Sequence, residues 1–586
     1  MVTITARMDD LEQLYGRKMP RNREHLNELL YSVKCELSGS IQTDPILDET
    51  ELQLENKDSN RPDIWSPEGI ARALRGIQRI ETGLKKYSVS KKPAVEISVD
   101  KELRDIRPYI ACAVALHPKI DDTIIRSLVH LQEKLDQSYG RRRRRSSIGF
   151  YDFDLIEPPL RYGAANPDEI KFVPLDTSTT LSLREILTQH PKGIEYGTIV
   201  SGFHKYPILL DSKDQVLSFP PIINSNDLGK VTPETRNLLV EITGTSEETV
   251  KNALISLTVA LSDRGAEIHP ARIHYPYPET HVVTTPELKE RRINLPIESI
   301  KTLTGLDLSR AELTSLLRRA RYDVASATSK SVKVLVPCYR FDILHPVDII
   351  EDIAIAYGLN NVKPRWPEDA TIGSLSQIEE FSDTVRELML GLGFQEILTF
   401  AMTNLEKLFT KMNHEPTQIV EIANPKITTM TCLRSWLLPS LMDFLSSNTH
   451  VEYPQRVYEV GYCTLWDMSL PNRTRDNLRL ACASAHARAN FTEIKSNLEP
   501  LMINLGLEFT IKPTENPSFL SGRAGTICVG DHEVGIIGEV HPQVLENWNL
   551  EDPVAAMELD LDTIFGVRGY GFAGEAPKPP TSERAN

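Results

Sequence analysis

Residues 340–358 read RFDILHPVDIIEDIAIAYG, and this stretch restricts the fold more than any other in the chain. Asp348, Glu351 and Asp352 stand at i, i+3 and i+4, which is one face of a helix. Ile349, Ile350, Ile353 and Ala356 face elsewhere and give that helix an apolar stripe. Asp342 lies just upstream, on an extended stretch that follows Val334, Leu335, Val336 and Pro337. A strand end and a helix face that bring four carboxylates together need positive charge between them. A hard divalent ion such as magnesium takes oxygen ligands and suits such a cluster. Acids in a first helical turn are also favoured by the helix macrodipole, with no ligand at all. For Asp348 and Glu351 the spacing leaves both readings open. Asp342 lies outside the helix and gains nothing from its dipole.

The chain has 586 residues, room for about four domains of ~150 residues. Its composition is ordinary for a globular protein, 40% hydrophobic and 25% charged. The net charge of −15 excludes a wholesale nucleic-acid coat, so any nucleic-acid contact must use a local basic patch. The five arginines at 141–145 are one candidate, although such a run is commonly a solvated loop. The seven cysteines form no CxxC pair, so neither a zinc site nor a disulfide framework has support. A reducing cytoplasm is the expected compartment. The opening MVTITARMDD meets acids before any apolar run, unlike a signal peptide, and no stretch is long and apolar enough to span a membrane. Walker loop, GxSxG elbow, HExxH and dinucleotide fingerprint are all missing.

The pattern divides the chain into an N-terminal α+β region at 1–100, a central domain at 101–285, a small domain at 290–365, a larger module at 376–566 and a disordered tail at 567–586. In the first, Ser66, Pro67 and Glu68 open a helix with Ile70, Leu74 and Ile77 inward. In the second, a strand at 109–116 precedes an amphipathic helix at 122–139. Two further strands end at the Pro220-Pro221 pair and the polar loop of Asn224, Ser225, Asn226 and Asp227. Glu241 then stands among Leu239, Val240 and Ile242. It needs a partner if buried, and an outward-facing strand carboxylate fits the pattern as well. In the small domain Ser309 and Glu312 form a capping box.

Six stretches now stand in order: NRPDIWSPEGIARALRG from Asn60, PPIINS from Pro220, the acidic segment from Arg340, NPKITTMTCLRSWLLPSLMDFL from Asn424, RVYEVG from Arg456 and GEVHP from Gly538. Through them the chain resembles, over nearly its whole length, the β subunits of phenylalanyl-tRNA synthetase of archaeal and eukaryotic type. The resemblance implies a multidomain α+β chain. It would hold a central strand-rich editing-type domain, a small acidic metal-site domain and a C-terminal class II synthetase-like antiparallel-sheet module without catalytic motifs. It implies partnership with an α subunit in an α2β2 cytoplasmic enzyme that joins phenylalanine to tRNA(Phe). ATP and phenylalanine would be bound by α, and no membrane is involved. A working class II core carries an Arg-x-Glu pair and an arginine on the helix after a glycine-rich strand. Here Arg456 and Glu459 are three apart and should face opposite sides of a strand. The helix after strand 535–540 has no arginine, so ATP phosphates would lack a cationic clamp.

The resemblance also places magnesium at Asp342, Asp348, Glu351 and Asp352, in a structural role. It implies a hydrolytic editing site for mischarged Tyr-tRNA at Leu209, Ser218, Asn224 and Glu241. Leu209 would line the ring pocket. Ser218 and Asn224 would orient the ester or the terminal adenosine. Glu241 would receive the tyrosine hydroxyl or position a water that attacks the ester, with no covalent enzyme intermediate. The alternatives are a scaffold subunit with an inert pocket and a free-standing magnesium-dependent hydrolase.

Overall fold

The computed structural model describes residues 2–39, 41–44, 49–118, 120–277, 280–366 and 371–568. Nearly all of the tail expected at 567–586 lies outside these residues. The chain forms two units, Met1–Trp366 and Pro367–Asn586.

In the first unit, strands Val2–Arg7 and Glu49–Asn56 pair antiparallel in a small sheet with Cys35–Leu37 and Gln42–Asp44. Helix Pro67–Ile77 starts where its capping residues put it. Ser66 accepts from the Gly69 N–H, and Pro67 takes the first helical position. Ile70 and Leu74 are fully buried.

The second sheet has ten strands. From one edge the order is Ile223–Asn224, Val216–Phe219, Tyr206–Leu210, Leu160–Ala165, Val95–Val99, Glu267–Tyr277, Tyr109–Leu116, Asn237–Gly244 and Ser146–Asp152, and Thr280–Thr285 branches from Glu267–Tyr277. The strands Tyr109–Leu116 and Asn237–Gly244 are almost continuously apolar because both their faces are covered. Ala111, Ala113, Val240 and Ile242 pack with helix Glu247–Asp263 on one side; Cys112, Val114 and Leu239 form a second core on the other. By the same alternation Glu241 points with Leu239, away from the helix. The two ends of the sheet approach one another and are joined by a side chain. Asn224 Nδ2 donates to the carbonyl of Phe150 at 3.2 Å, closing a seam.

The helix expected over 122–139 is α-helical only at Asp122–Lys134 and continues as one π-helical turn, Leu135–Tyr139. After it Arg141, Arg142 and Arg143 all adopt the left-handed backbone, with φ of 50, 53 and 62°. The third sheet holds Arg291–Pro296, Ser331–Val336 and Asp323–Ala327, with Ser331–Val336 in the middle. Helices Arg310–Arg319 and Pro346–Tyr357 share its core. The Ser309–Glu312 capping box is formed, and Gly358 ends the acidic helix at φ +98°.

The second unit is built on a seven-stranded sheet in the order Gln395–Glu396, Gln455–Trp466, Thr474–Ala485, Val554–Asp560, His532–Val540, Phe519–Val529, Thr510–Pro513. All its pairings are antiparallel except the first. Helices Gln377–Gly391, Phe491–Asn504 and Leu561–Val567 cover one face, and Leu438–Ser447 and Pro542–Asn547 the other. Strand residues alternate between these two cores: Leu480 and Cys482 enter the first, Ala481 and Ala483 the second.

Candidate active site

The seam of the ten-stranded sheet opens into a cavity of about 1040 Å³, at the upper end of the range for small-molecule sites. Ser218, Asn224 and Glu241 line it, together with Asp136, Arg143 and an apolar wall that includes Leu128, Ile148 and Phe150. Glu241 is buried, so of the two sequence readings the inward one holds. Its neighbour across the ladder is Gly149. Tyr151 Oη lies 2.8 Å from Glu241 Oε2, 2.8 Å from Ser218 Oγ and 3.5 Å from Asn224 Oδ1. A phenol has one proton to give. The carboxylate can only accept, so Tyr151 donates to Glu241 and Ser218 completes the chain by donating to Tyr151. Glu241 Oε1 is buried and makes no hydrogen bond of ordinary geometry, and neither do the two Asp136 oxygens; the Thr243 hydroxyl still pulls the Glu241 carboxyl down. The Thr243 hydroxyl, next on that face of the strand, is shared with Arg107 Nε at 2.9 Å and Ser147 Oγ at 3.2 Å. Burial pushes the Glu241 carboxyl up to about 7, against the pull of the Tyr151 hydrogen bond and the Arg107 guanidinium.

Of the four residues expected here, the structure gathers three. Leu209 pairs with Ser218 in the ladder, so the two side chains share a face, and Leu209 is fully buried in the core that also holds Tyr151. Tyr151, Arg107, Asp136 and Thr243 were not foreseen. Nothing in SSIGFYD distinguishes Tyr151 from any strand aromatic until Glu241 is known to lie across from Gly149.

The arginine run also departs from expectation. Arg141, Arg142, Arg144 and Arg145 are exposed, but Arg143 turns inward. Its Nη1 donates to the carbonyls of Pro221 and Ile222 at 3.1 and 2.9 Å, and its Nε lies 3.0 Å from the buried Asp136. Its guanidinium stacks over Tyr196 at 4.4 Å. The Arg143 carbonyl accepts from Arg107 Nη1 at 3.1 Å, and Arg107 Nη2 donates to the carbonyl of Thr243 at 2.6 Å. Arg107 and Arg143 in series thus tie the strand that carries Glu241 to the turn between Ser218 and Asn224. Burial pushes Asp136 up to about 7, although Arg143 and Arg107 pull it down.

The four carboxylates of the small domain do not converge as expected. Arg340 Nη2 sits between two of them, 2.9 Å from Asp342 and 2.7 Å from Asp352. Arg61 stands behind at 3.9 and 3.8 Å, held by Asp63, and Tyr322 also donates to Asp352. Asp348 accepts from the N–H groups of Leu344 and His345 at the helix start. Glu351 reaches outward to Lys34 Nζ at 3.0 Å. Among the described residues no three His, Cys, Asp or Glu side chains are placed to hold an ion. As arranged they do not fit magnesium. The physical reason is that guanidinium already supplies the positive charge which the sequence demands, and it comes from Arg340 in the motif itself and Arg61 in NRPD. Burial works against the Asp352 carboxylate, yet Arg340 and Arg61 hold it down at about 2.

In the second unit Arg456 and Glu459 do lie on opposite faces. Arg456 pairs with Glu493 at 2.9 Å, whereas Glu459 is fully buried and bound by Arg434 Nη1 at 2.7 Å and by Thr399 at 2.6 Å. On the same face Arg479 pairs with Glu558 at 2.8 Å, and Glu558 also accepts from the N–H groups of Leu437 and Leu438. These charges are spent on one another.

The chain matches the family model described as the phenylalanyl tRNA synthetase beta chain CLM domain over residues 362–561 and the tRNA synthetase B5 domain over residues 293–359. It is 45% identical to the phenylalanine–tRNA ligase beta subunit of Pyrococcus furiosus over 95% of this chain and 98% of that one. To the corresponding subunit of Methanococcoides burtonii it is 38% identical over 86% and 91%. Among solved structures it resembles an N-terminal fragment of the phenylalanyl-tRNA synthetase beta subunit from Pyrococcus horikoshii. The TM-score is 0.58 at 39% identity, covering 61% of this chain and 99% of the fragment.

Proposed function

The chain belongs to the phenylalanine–tRNA ligase β-subunit family, and from that membership we propose that its seam cavity hydrolyses tRNA mischarged with tyrosine. As a β subunit it is part of a tRNA ligase whose other component is an α subunit. The observation that carries the editing reading is the Glu241 carboxyl in the cavity lining: Tyr151 holds its Oε2, and its Oε1 makes no hydrogen bond of ordinary geometry. A phenylalanyl ester would leave that oxygen unpaired. A tyrosyl ester brings the missing hydroxyl, and such pairing discriminates strongly.

Asn224 and Ser218, on the opposite wall, orient the ester and the terminal ribose. The Ser218 hydroxyl is engaged by Tyr151, not by a histidine, so it is not built as a nucleophile. Water is the attacking group: it adds to the ester carbonyl, the ribose oxygen leaves, and tyrosine and uncharged tRNA result. The test is deacylation of Tyr-tRNA(Phe) by the αβ assembly, with Asn224→Ala and Glu241→Ala alongside. Both variants should lose hydrolysis and keep phenylalanine charging. Indifference of both would leave an inert scaffold.

The remaining division of labour belongs to the same proposal. Residues 101–285 edit, 290–365 form the small domain, and 376–566 are a class II-like module that has given up catalysis and joins an α2β2 cytoplasmic assembly. The self-paired Arg434–Glu459 and Arg479–Glu558 charges support that loss of an ATP grip. Magnesium at Asp342, Asp348, Glu351 and Asp352 is a site that requires Arg340 to release two carboxylates, and no chemical step is derived through it. Calorimetric titration of magnesium into the αβ assembly, against Asp348→Ala/Glu351→Ala, decides it. Equal heats for both proteins would remove the assignment.

A further inference from the structure

Tyr151 is buried with no exposed surface and meets three of the polar groups that the seam brings together. It touches Glu241 on one wall and Ser218 and Asn224 on the other. The backbone across from Glu241 is stripped to make room for this contact. A Cβ at Gly149 would come 2.3 Å from Tyr151 Oη and 2.8 Å from Glu241 Oε2. Glycine here serves close approach, not a left-handed turn.

We propose that Tyr151 is the positioning residue of the hydrolytic site: by holding Glu241 Oε2 it fixes the carboxylate, so that Oε1 is left as the acceptor for the hydroxyl of an incoming tyrosyl ester. The protein's own phenol thereby pre-sets selection for the substrate's phenol. This inference rests on the editing reading above.

Electrostatics work in the same direction. Burial raises the Glu241 carboxyl, and the Tyr151 hydrogen bond opposes that rise. The other groups that face Glu241 are Arg107, which favours its ionised form, and Asp136, which disfavours it. Burial pushes the Cys112 thiol and the Tyr162 phenol well above their ordinary pKa values, and both remain neutral. Without the phenol hydroxyl Glu241 would ionise only at higher pH. A protonated Glu241 would present a donor where the substrate needs an acceptor.

The experiment uses the αβ assembly with wild type, Tyr151→Phe and Gly149→Ala. The substrates are Tyr-tRNA(Phe) and Phe-tRNA(Phe), followed from pH 6 to 9, with phenylalanine charging and melting temperature as controls of folding. Tyr151→Phe should lower kcat/KM for the tyrosyl ester about 10- to 100-fold, the worth of a hydrogen bond to a charged group. It should also shift the rising limb of the pH–rate profile to higher pH. A role in packing alone would not move that limb. Gly149→Ala, which crowds the same two atoms, should reproduce both effects and stands in if Tyr151→Phe fails to assemble. Wild-type rates and an unshifted limb in both variants would overturn the proposal while leaving the editing reading in place. An inert wild type would instead sink the editing reading and this proposal with it.

Discussion

Glu241 and Asp136 are two buried acids in one cavity, and burial raises both to about 7 from ordinary values of 4.5 and 3.8. Between roughly pH 4 and 7 the folded protein therefore keeps protons that the unfolded chain has shed. Stability is full below that window and falls as pH rises through it. The unfolding free energy of the first unit from urea titration should be lower at pH 8 than at pH 5, by on the order of 2–4 kcal/mol for each acid, with a matching fall in the midpoint. Glu241→Gln and Asp136→Asn should each flatten the slope; equal midpoints for wild type at the two pH values would refute it. Asp352 has the opposite sign. It is held down at about 2, so its contribution is present above pH 4 and is lost only in strong acid. At this scale the sequence was legible where chemistry is carried by residue type. A carboxylate between Leu239, Val240 and Ile242 stands out by its chemistry, although burial with a partner and an outward face fit the pattern equally. Leu209 and Tyr151 could not be sorted in that way, because which face of a strand meets a cavity depends on strands far away in the chain.

Three successive left-handed arginines are costly, and such strain persists where the surroundings over-determine it. Here the surroundings are Asp136, the Pro221 and Ile222 carbonyls, Tyr196 and Arg107. Arg143→Ala should destabilise the first unit by about 3–5 kcal/mol, as expected when a buried pair loses one partner. Arg142→Ala, at an exposed position, should stay within about 0.5 kcal/mol. Thermal denaturation of the two variants distinguishes a structural clamp from a solvated run. Reversing the exposed Arg141, Arg142, Arg144 and Arg145 should weaken tRNA binding and flatten its salt dependence if they meet phosphates. A charge run looks uniform in sequence, and only the turn decides which member goes inside. The acidic helix teaches the same lesson. Its spacing, cap and apolar stripe were readable, but the cation among its acids was not. Arg61 approaches from 281 positions upstream of Asp342, beyond any periodicity argument. Arg340→Ala should cost about 3–5 kcal/mol, measured by the same denaturation.

For the molecule as a whole, alternation of apolar residues made the strands of both large sheets legible, and capping residues located several helix starts. Strand order was not legible, because it is set by which faces must be covered rather than by any one segment. The seven-stranded sheet of the second unit keeps its charges in internal pairs, Arg434–Glu459 and Arg479–Glu558. The purified chain without its α partner should therefore form no phenylalanyl-adenylate in a pyrophosphate-exchange assay. Exchange above background would contradict the division of labour proposed for the two subunits. The central claim concerns the first unit, where the seam between the two ends of the sheet leaves a hydrolytic cavity in which Glu241 keeps an acceptor oxygen without a hydrogen bond. Its most direct test is a structure of the αβ assembly with a non-hydrolysable tyrosyl-adenosine amide. The account predicts the ligand in the seam, with its phenol oxygen at about 2.6–3.0 Å from Glu241 Oε1. A ligand bound elsewhere, or one whose ring points away from Glu241, would contradict it.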